Sequence, residues 1–188
     1  LGAVDDANAL TPLGHELARL PLDPRVGRMI LEARSRNALD EVLVIAAALS
    51  VQDVRDRPMD MQAQADQAHA KFDDEKSEFS GYLKLWKWIA DARGDKAGTH
   101  KLSNRQYEQV LRHNFVNIRR LREWKDIHSQ LHTVVAEHTW RLNTTPASYE
   151  QLHMSMLAGL LGNVGCKLES EGQQGEYLGA RGIKFYRH

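Results

Sequence analysis

Two histidines one helical turn apart are the first side chains in this sequence whose spacing suggests chemistry. His128 and His132, in HSQLH, have the separation with which a zinc-protease helix holds its metal. Ser129, however, stands where that chemistry needs a glutamate as the general base. Cys166 has no histidine near it in the sequence. We therefore interpret the histidines as partly exposed helix residues, and the cysteine as a buried structural thiol rather than a nucleophile.

No part of the sequence has the form of a nucleotide-binding loop. Neither G-x-x-x-x-G-K-[ST] nor G-x-G-x-x-G occurs, so the backbone cradle that ATP-driven motors use for phosphates is missing from these residues. The acidic run DDEK, residues 73–76, follows no apolar strand and is better explained as a solvated helix start than as a metal motif. We expect no cofactor, no catalytic residue and no metal site within these residues.

The charged residues are unevenly distributed, although 25 basic and 25 acidic residues give a formal net charge of zero. Residues 53–78 carry eight acidic and four basic side chains, a net charge of −4. Residues 101–125 carry seven basic and two acidic side chains, a net charge of +5. The second segment is expected to attract phosphates, and the first is expected to repel them.

Arginines recur at steps of seven in the basic segment. Arg105, Arg112 and Arg119 would lie within roughly 40° of one another on a continuous helix, a spacing suited to a phosphate backbone. A solvated helix face is the alternative interpretation of the same row. Tryptophans can stack on bases, but Trp86 and Trp124 fall on apolar stripes, which favours the core; Trp88 lies off its stripe and stays open.

The elements that would position these side chains begin with two short capped helices in LTPLGHELARLPLDPRVGRMILEA, residues 10–33. Thr11 and Asp23 each precede a proline, which suits the first helical position because it has no N–H to leave unpaired. Pro21 disfavours helical geometry at Leu20 and ends the first helix. The apolar stripe of the second helix is Val26, Met29, Ile30 and Ala33.

The rest of the chain is predicted to be mostly helical. The segment DEVLVIAAALS, residues 40–50, is apolar nearly all round and is predicted to be a buried central helix. In SEFSGYLKLWKWIADARG, Phe79, Leu83, Trp86 and Ala90 are predicted to form one face, and Gly94 to stop the helix.

The periodicity of the C-terminal half predicts a break in one helical span. Apolar residues in 103–138 recur at an average spacing shorter than 3.6, which favours two helices separated near residues 114–117. Residues 148–161 are predicted to be a helix, and short strands follow it.

Composition is ordinary for a globular chain, with 42% hydrophobic residues and a mean hydropathy of −0.52. No stretch approaches the roughly 18 apolar residues that a membrane span needs, and the first residues do not resemble a signal peptide. A single cysteine fits a reducing compartment, and we expect a cytoplasmic protein with no membrane partner. The missing initiator Met and the strand-like end IKFYRH lead us to expect a fragment of a longer chain.

Several segments, in order along essentially the whole chain, resemble the region C-terminal to the motor in DEAH-box RNA helicases. They are LTPLGHELARLPLDPRVGRMILEA, ALSVQDVRDRP, NFVNIRRLREWKDIHSQL, MLAGLLGNVG and EYLGARGIKF. EWKDIHSQL and EYLGARGIKF look most like the bacterial HrpA type. The order of the segments is more specific than any one of them.

The resemblance implies a mainly α fold in three parts. Residues 1–22 would be the C-terminal part of a winged helix, residues 23–155 a ratchet-like helical bundle, and residues 156–188 the truncated start of an OB-fold. LARLPLDP would then be the rigid hinge between the first two parts.

The resemblance also implies a role. Such a module would wall the channel for single-stranded RNA beside two RecA-like motor domains of the same chain, and would couple ATP hydrolysis to translocation and unwinding. ATP and Mg²⁺ would bind in those motor domains, so the parent would be an ATP-dependent helicase and this fragment alone would be inactive. Single-stranded DNA is an alternative to RNA as the bound strand. The implied RNA-binding candidates are Arg112, His113, Asn114, Arg119, Arg120, Arg122 and Lys125.

Two other functions remain open from the residues themselves. A stand-alone winged-helix DNA-binding protein would need a recognition helix that the N-terminal residues do not supply. A helical interaction module would use the basic segment only to dock on an acidic partner.

Overall fold

The computed structural model describes residues 17, 19, 20, 22, 24–94 and 101–170, and two strands at 176–178 and 184–186. Side chains are described as far as residue 160. Most of the first capped helix, the hinge prolines and Cys166 therefore lie outside the part whose side chains are described. None of the described helices is both long and apolar enough to cross a membrane.

The described chain is mainly helical, as the sequence predicts. Its helices, in order, are α1 (Pro24–Ser35), α2 (Leu39–Leu49), α3 (Gln62–His69), a 3₁₀ turn (Ala70–Phe72), α4 (Glu78–Ala92), α5 (Asn104–His113), α6 (Ile118–Glu137) and α7 (Tyr149–Ser170). Strands β1 (Glu176–Leu178) and β2 (Lys184–Tyr186) follow. The chain divides into two compact units, Leu1–Ala46 with Gln130–His188, and Ala47–Ser129.

The first unit packs α1 against α7. The predicted stripe of Val26, Met29, Ile30 and Ala33 is buried, which confirms the amphipathic face of α1. Gly159 on α7 allows the close approach, since an added Cβ there would lie 2.3 Å from Met29 Cγ. Every side chain from residue 42 to residue 48 is buried, which confirms that this segment forms a buried helix.

Helix α7 begins close to the predicted residue but continues to Ser170. The predicted start of the OB-fold at residue 156 therefore falls inside this helix. Beyond it, β1 and β2 pair antiparallel with Glu176 opposite Tyr186. The OB-fold and the winged helix both stay predictions.

In the second unit, helix α4 has a different buried face from the one predicted. Phe79, Tyr82, Leu85 and Ile89 are buried, whereas Ala90 is exposed, so the predicted face was displaced around the helix axis. The N-cap is Ser77, whose hydroxyl accepts a 3.0 Å hydrogen bond from the Phe79 N–H.

Gly94 follows the end of helix α4. Its φ of 118° lies in a region that L side chains rarely adopt. This supports the prediction that glycine stops the helix there.

Helices α5 and α6 are separated where the sequence predicts a break. A capping box between Ser103 and Gln106 starts α5, while Phe115 has a φ of 56° in the turn that ends it. That turn pairs with the segment before α3, because the Asp56 N–H donates to the Phe115 carbonyl at 2.8 Å. The Asn117 N–H donates to the Val54 carbonyl at 2.7 Å. The corner between α5 and α6 is thus fixed by main-chain hydrogen bonds.

Candidate nucleic-acid interface

The predicted phosphate-binding residues lie on both sides of the corner between α5 and α6, within the second unit. Leu111, Val116, Leu121 and Trp124 are buried there. Because these positions face inward, the charged positions between them face outward. Six of the seven cations in residues 101–125 are exposed, and only Arg120 is half-buried.

Arg112 on α5 and Arg122 on α6 share one carboxylate. An Nη2 atom of Arg122 lies 3.2 Å from Glu108 Oε1, and that of Arg112 lies 4.0 Å from Oε2. The two arginine side chains remain 71% and 73% exposed. Two guanidiniums facing a single carboxylate keep donors available for an anionic ligand.

Arg119 is the most exposed of these cations, with a side chain that is 90% accessible. Its Nε lies 3.6 Å from Glu123 Oε1, a surface pair of small energetic value. Arg119 also lines a surface cleft of about 380 Å³ beside Gln52, Asn117, Arg120 and Glu123. The start of α6 therefore presents an accessible guanidinium at the edge of a polar cleft.

Arg120 is held by the segment before α3. Its Nη1 donates to the Asp53 carbonyl at 3.1 Å and lies 3.5 Å from Asp56 Oδ1. Its main-chain N–H donates to Asn117 Oδ1 at 3.0 Å. The structure thus gives Arg120 a role in joining the acidic and basic segments, and its predicted contact with RNA stays untested.

Asp53 belongs to the same junction. Burial alone would raise the pKa of its carboxyl, but hydrogen bonds from the Arg55 side chain and main-chain N–H more than offset that effect and lower the pKa. The Asp53 Oδ1 atom accepts from Arg55 Nε at 3.0 Å, and Oδ2 accepts from Nη2 at 2.8 Å. The folded chain therefore stabilises the deprotonated, negatively charged form of Asp53.

Asn114 and His113 have different surroundings at the end of α5. The Asn114 side chain is half-buried, donates to the Val110 carbonyl at 2.8 Å and accepts a hydrogen bond from Lys71 Nζ. His113 is exposed and lines a cleft of about 400 Å³ with Gln106 and Gln109. Asn114 lines the same cleft, so the two candidates differ in exposure rather than in position.

Lys125 is exposed on α6 and points toward Tyr107 of α5. Its Nζ lies 3.4 Å from the Tyr107 hydroxyl oxygen and 5.5 Å from the ring centroid. It is one helical turn from Arg122, so the two cations are neighbours on the helix surface.

The row of arginines at steps of seven does not have the geometry that the sequence predicts. The break at residues 114–117 puts Arg105 and Arg112 on α5 and Arg119 on α6, so the row at steps of seven does not form on one helix. The shared carboxylate of Glu108 was not among the residues predicted from the sequence. A signal for it exists in the i, i+4 spacing of Glu108 and Arg112, whereas the contact with Arg122 depends on the corner.

The tryptophans of this unit contact other side chains. Trp124 is buried, which confirms its predicted core position. Its ring centroid lies 4.8 Å from that of Trp86, which is only half-buried. Trp88 packs edge-on against Phe72 and has Lys71 Nζ 4.5 Å from its centroid. His128 lies with its ring 4.7 Å from that of Trp86. Base stacking by these rings receives no support from this arrangement.

No cluster of three or more potential metal ligands occurs in the part of the chain that the structure describes. His132, the second histidine of the HSQLH pair, is exposed.

Comparison with known families matches residues 23–95 to the ratchet-like helicase-associated domain (HA2) and residues 1–22 to the winged-helix HA2 domain. The ATP-dependent RNA helicase HrpA of Escherichia coli is 40% identical over 190 residues, which cover 98% of this chain and 14% of that protein. The HrpA homolog of Haemophilus influenzae is 39% identical over 176 residues, covering 94% of this chain and 13% of that protein.

A plant protein, the DExH-box ATP-dependent RNA helicase DExH1 of Arabidopsis thaliana, is 29% identical over 164 residues. That match covers 86% of this chain and 16% of the plant protein. The chain thus spans about one seventh of the length of the curated relatives that it matches.

Proposed function

The chain belongs to the helicase-associated (HA2) region of DEAH-box RNA helicases of the HrpA type, and from this premise we propose that it guides single-stranded RNA beside the motor domains. In this proposal the RecA-like motors lie elsewhere in a longer polypeptide and bind ATP and Mg²⁺. The HA2 region holds the strand as the motors open and close, so that ATP hydrolysis is coupled to translocation and unwinding. The fragment alone is expected to be inactive.

One observation supports this proposal above the others: helices α5 and α6 present the exposed guanidiniums of Arg112, Arg119 and Arg122, two of which share the carboxylate of Glu108. Arginine presents donors in a fork that matches phosphate oxygens. Contacts to phosphate groups hold a strand in place without reading its bases. Such contacts suit a protein that moves along RNA of any sequence. A helicase that pulls one strand needs contacts of this kind.

The test is fluorescence anisotropy of a labelled single-stranded oligouridine titrated with the 188-residue chain at two salt concentrations. Double charge reversal, Arg119→Glu with Arg122→Glu, is compared with the wild type. The control is Lys84→Glu with Lys87→Glu, which makes the same charge change on exposed positions of α4. Circular dichroism checks that each variant stays folded.

We expect the wild type to bind more weakly as salt rises, with log affinity falling against log salt by about 0.7 per phosphate contact. The arginine variant is expected to lose at least tenfold in affinity, and the lysine control less than threefold. Equal losses in both variants would contradict the proposal, because the effect would then depend on total charge alone. An oligodeoxyuridine of the same length measures the preference between RNA and DNA.

Unchanged RNA binding by the arginine variant would also contradict the proposal. The basic segment would then be better explained as a surface that docks on an acidic protein. Tight binding confined to one duplex DNA sequence would instead support the winged-helix DNA-binding alternative.

A further inference from the structure

Three hydrogen-bond donors from three helices converge beside the arginine surface. Arg93 is the C-terminal cap of α4, Tyr107 lies on α5 and Lys125 lies on α6. The Arg93 guanidinium carbon is 5.2 Å from the Tyr107 ring centroid, and Lys125 Nζ is 3.4 Å from the Tyr107 hydroxyl oxygen. Both cations thus lie beside the same tyrosine.

The cluster lacks a matching acceptor among the residues that the structure describes. In this part of the chain, neither Arg93 nor Lys125 has a carboxylate oxygen within the 4.0 Å of an ion pair. Arg93 donates from Nη2 to the neutral Asn104 Oδ1 at 2.9 Å. By contrast, Arg120 and Arg122 of α6 both pair with a carboxylate.

The Tyr107 hydroxyl is the second, independent observation. The residue is only 6% exposed, and its oxygen accepts the hydrogen bond from Lys125. Within the described residues, the hydroxyl hydrogen itself has no acceptor. A hydroxyl group can donate one hydrogen bond while it accepts another, so this hydrogen is available to a ligand atom.

Electrostatics in the cluster favour an anionic ligand. Burial, together with the charge of Arg93, lowers the pKa of Lys125. Burial raises the pKa of Tyr107, although the charge of Arg93 opposes that shift, so the hydroxyl remains a donor at neutral pH. A bound anion would relieve the repulsion between the two cations and stabilise the charged form of Lys125.

We propose that Arg93, Tyr107 and Lys125 form a subsite for one phosphodiester group of the bound strand. A phosphate offers non-bridging oxygens to a guanidinium, an ammonium and a hydroxyl donor at once. Lys125 is one turn from Arg122 on α6, and each of them contacts a side chain of α5, Tyr107 and Glu108 respectively, so the subsite lies along the same two helices as the arginine surface. The assignment of the phosphate to RNA rests on the proposed function.

The experiment measures oligouridine affinity and its salt dependence for single variants of the 188-residue chain. Arg93→Gln and Lys125→Gln each remove one cation, and Tyr107→Phe removes only the hydroxyl. Lys87→Gln on α4 is the matched control for loss of one exposed positive charge. Urea denaturation of each variant separates binding effects from unfolding.

We expect Arg93→Gln and Lys125→Gln each to weaken binding about three- to tenfold and to reduce the salt slope by up to about 0.7. Tyr107→Phe should weaken binding about two- to fivefold without changing that slope, because a neutral group is removed. Lys87→Gln should change neither quantity. If Arg93→Gln and Tyr107→Phe both behave like Lys87→Gln, the subsite proposal is wrong.

A second readout identifies the ligand class and separates this proposal from the proposed function. The Arg93 Nε–H resonance is followed by NMR during titration with oligouridine, inorganic phosphate or a hexaglutamate peptide. Shifts with oligouridine and phosphate that are lost in Lys125→Gln support the subsite. Shifts with phosphate but not oligouridine show an anion site that the strand does not use, which overturns the RNA assignment.

Two further outcomes are decisive. Shifts with hexaglutamate alone indicate a site for an acidic protein segment and overturn the proposal. Loss of RNA binding in the Arg119 and Arg122 double variant, with no effect of Arg93→Gln, leaves the proposed function standing and removes only the subsite.

Discussion

Arg120 on α6 donates a hydrogen bond of 3.1 Å to the main-chain carbonyl of Asp53, a residue 67 positions earlier. This contact joins the two segments of opposite charge, and the ion pair of Arg120 with Asp56 offsets part of the positive charge of the basic segment. Arg122, only two positions further, points to the other side and remains exposed. Of these two arginines on α6, Arg120 therefore has a structural position and Arg122 an accessible one.

Substitution of Arg120 should affect stability more than substitution of Arg122. We expect Arg120→Gln to lower the free energy of unfolding by about 1 kcal/mol, because a charged hydrogen bond to a carbonyl and an ion pair at 3.5 Å are lost at a half-buried side chain. Arg122→Gln should change it by less than about 0.5 kcal/mol. Urea denaturation followed by circular dichroism measures both values, and a larger loss for Arg122→Gln would contradict the assignment.

The helices of this chain could be predicted because apolar periodicity and capping residues are local signals. The buried stripe of α1, the buried α2 and the break before α6 all followed from such signals. The face of α4 did not, because Leu83 and Trp86 fit an apolar stripe as well as Tyr82 and Leu85 do. Packing against the rest of the unit decides between two such stripes, and a single sequence does not contain that information.

The candidate site was predictable only in part, for a related reason. The positive charge of residues 101–125 is visible in the sequence, but pairing across long separations is not. Glu108 meets Arg122 only because the turn at Phe115 folds α5 back toward α6. Lys71 reaches Asn114 only because the segment around α3 packs against the same corner.

Acid should destabilise the chain partly through Asp53. The folded chain lowers the pKa of this carboxyl, so its stabilising contribution is present above the unfolded-state pKa of about 3.9 and is lost as the pH falls through the lower folded value. We expect Asp53→Asn to be less stable than the wild type by about 1 kcal/mol near neutral pH, with a weaker decline below about pH 4. Urea midpoints between pH 2.5 and pH 6 test this. If Asp53→Asn declined as steeply as the exposed-site control Asp60→Asn, the assignment to Asp53 would fail.

Two helical glycines should respond oppositely to alanine. At Gly159 on α7, a Cβ would lie 2.3 Å from Met29 Cγ and 2.7 Å from the Arg25 carbonyl oxygen, and a backbone atom cannot rotate away. We expect Gly159→Ala to cost about 2 kcal/mol or more. At Gly27 on α1 the nearest atom is Leu17 Cδ1 at 3.8 Å, an ordinary contact, so Gly27→Ala should gain about 0.5 kcal/mol from reduced backbone entropy. A higher melting temperature for Gly159→Ala would contradict the packing of α1 against α7, and a lower one for Gly27→Ala would contradict the open space at that position.

Removal of a negative charge should strengthen RNA binding at the corner of α5 and α6. Glu108 lies within 4.0 Å of both Arg112 and Arg122 and competes with a phosphate for their donors. We expect Glu108→Gln to raise oligouridine affinity about three- to tenfold and to steepen the dependence on salt, since the surface gains one unit of net positive charge. Loss of the exposed pairs should change the free energy of unfolding by less than about 1 kcal/mol.

The control for this prediction is Glu75→Gln, which removes one exposed negative charge from the acidic segment of the same unit. If net charge alone governed binding, both variants would gain equally. A gain confined to Glu108→Gln, and abolished when Arg122→Gln is added, would show that the carboxylate acts through the guanidiniums that it holds. A fall in affinity for Glu108→Gln would mean that the carboxylate orients the two arginines for RNA rather than competing with it. The effect of this one charge therefore distinguishes an open phosphate-binding surface from one that Glu108 organises.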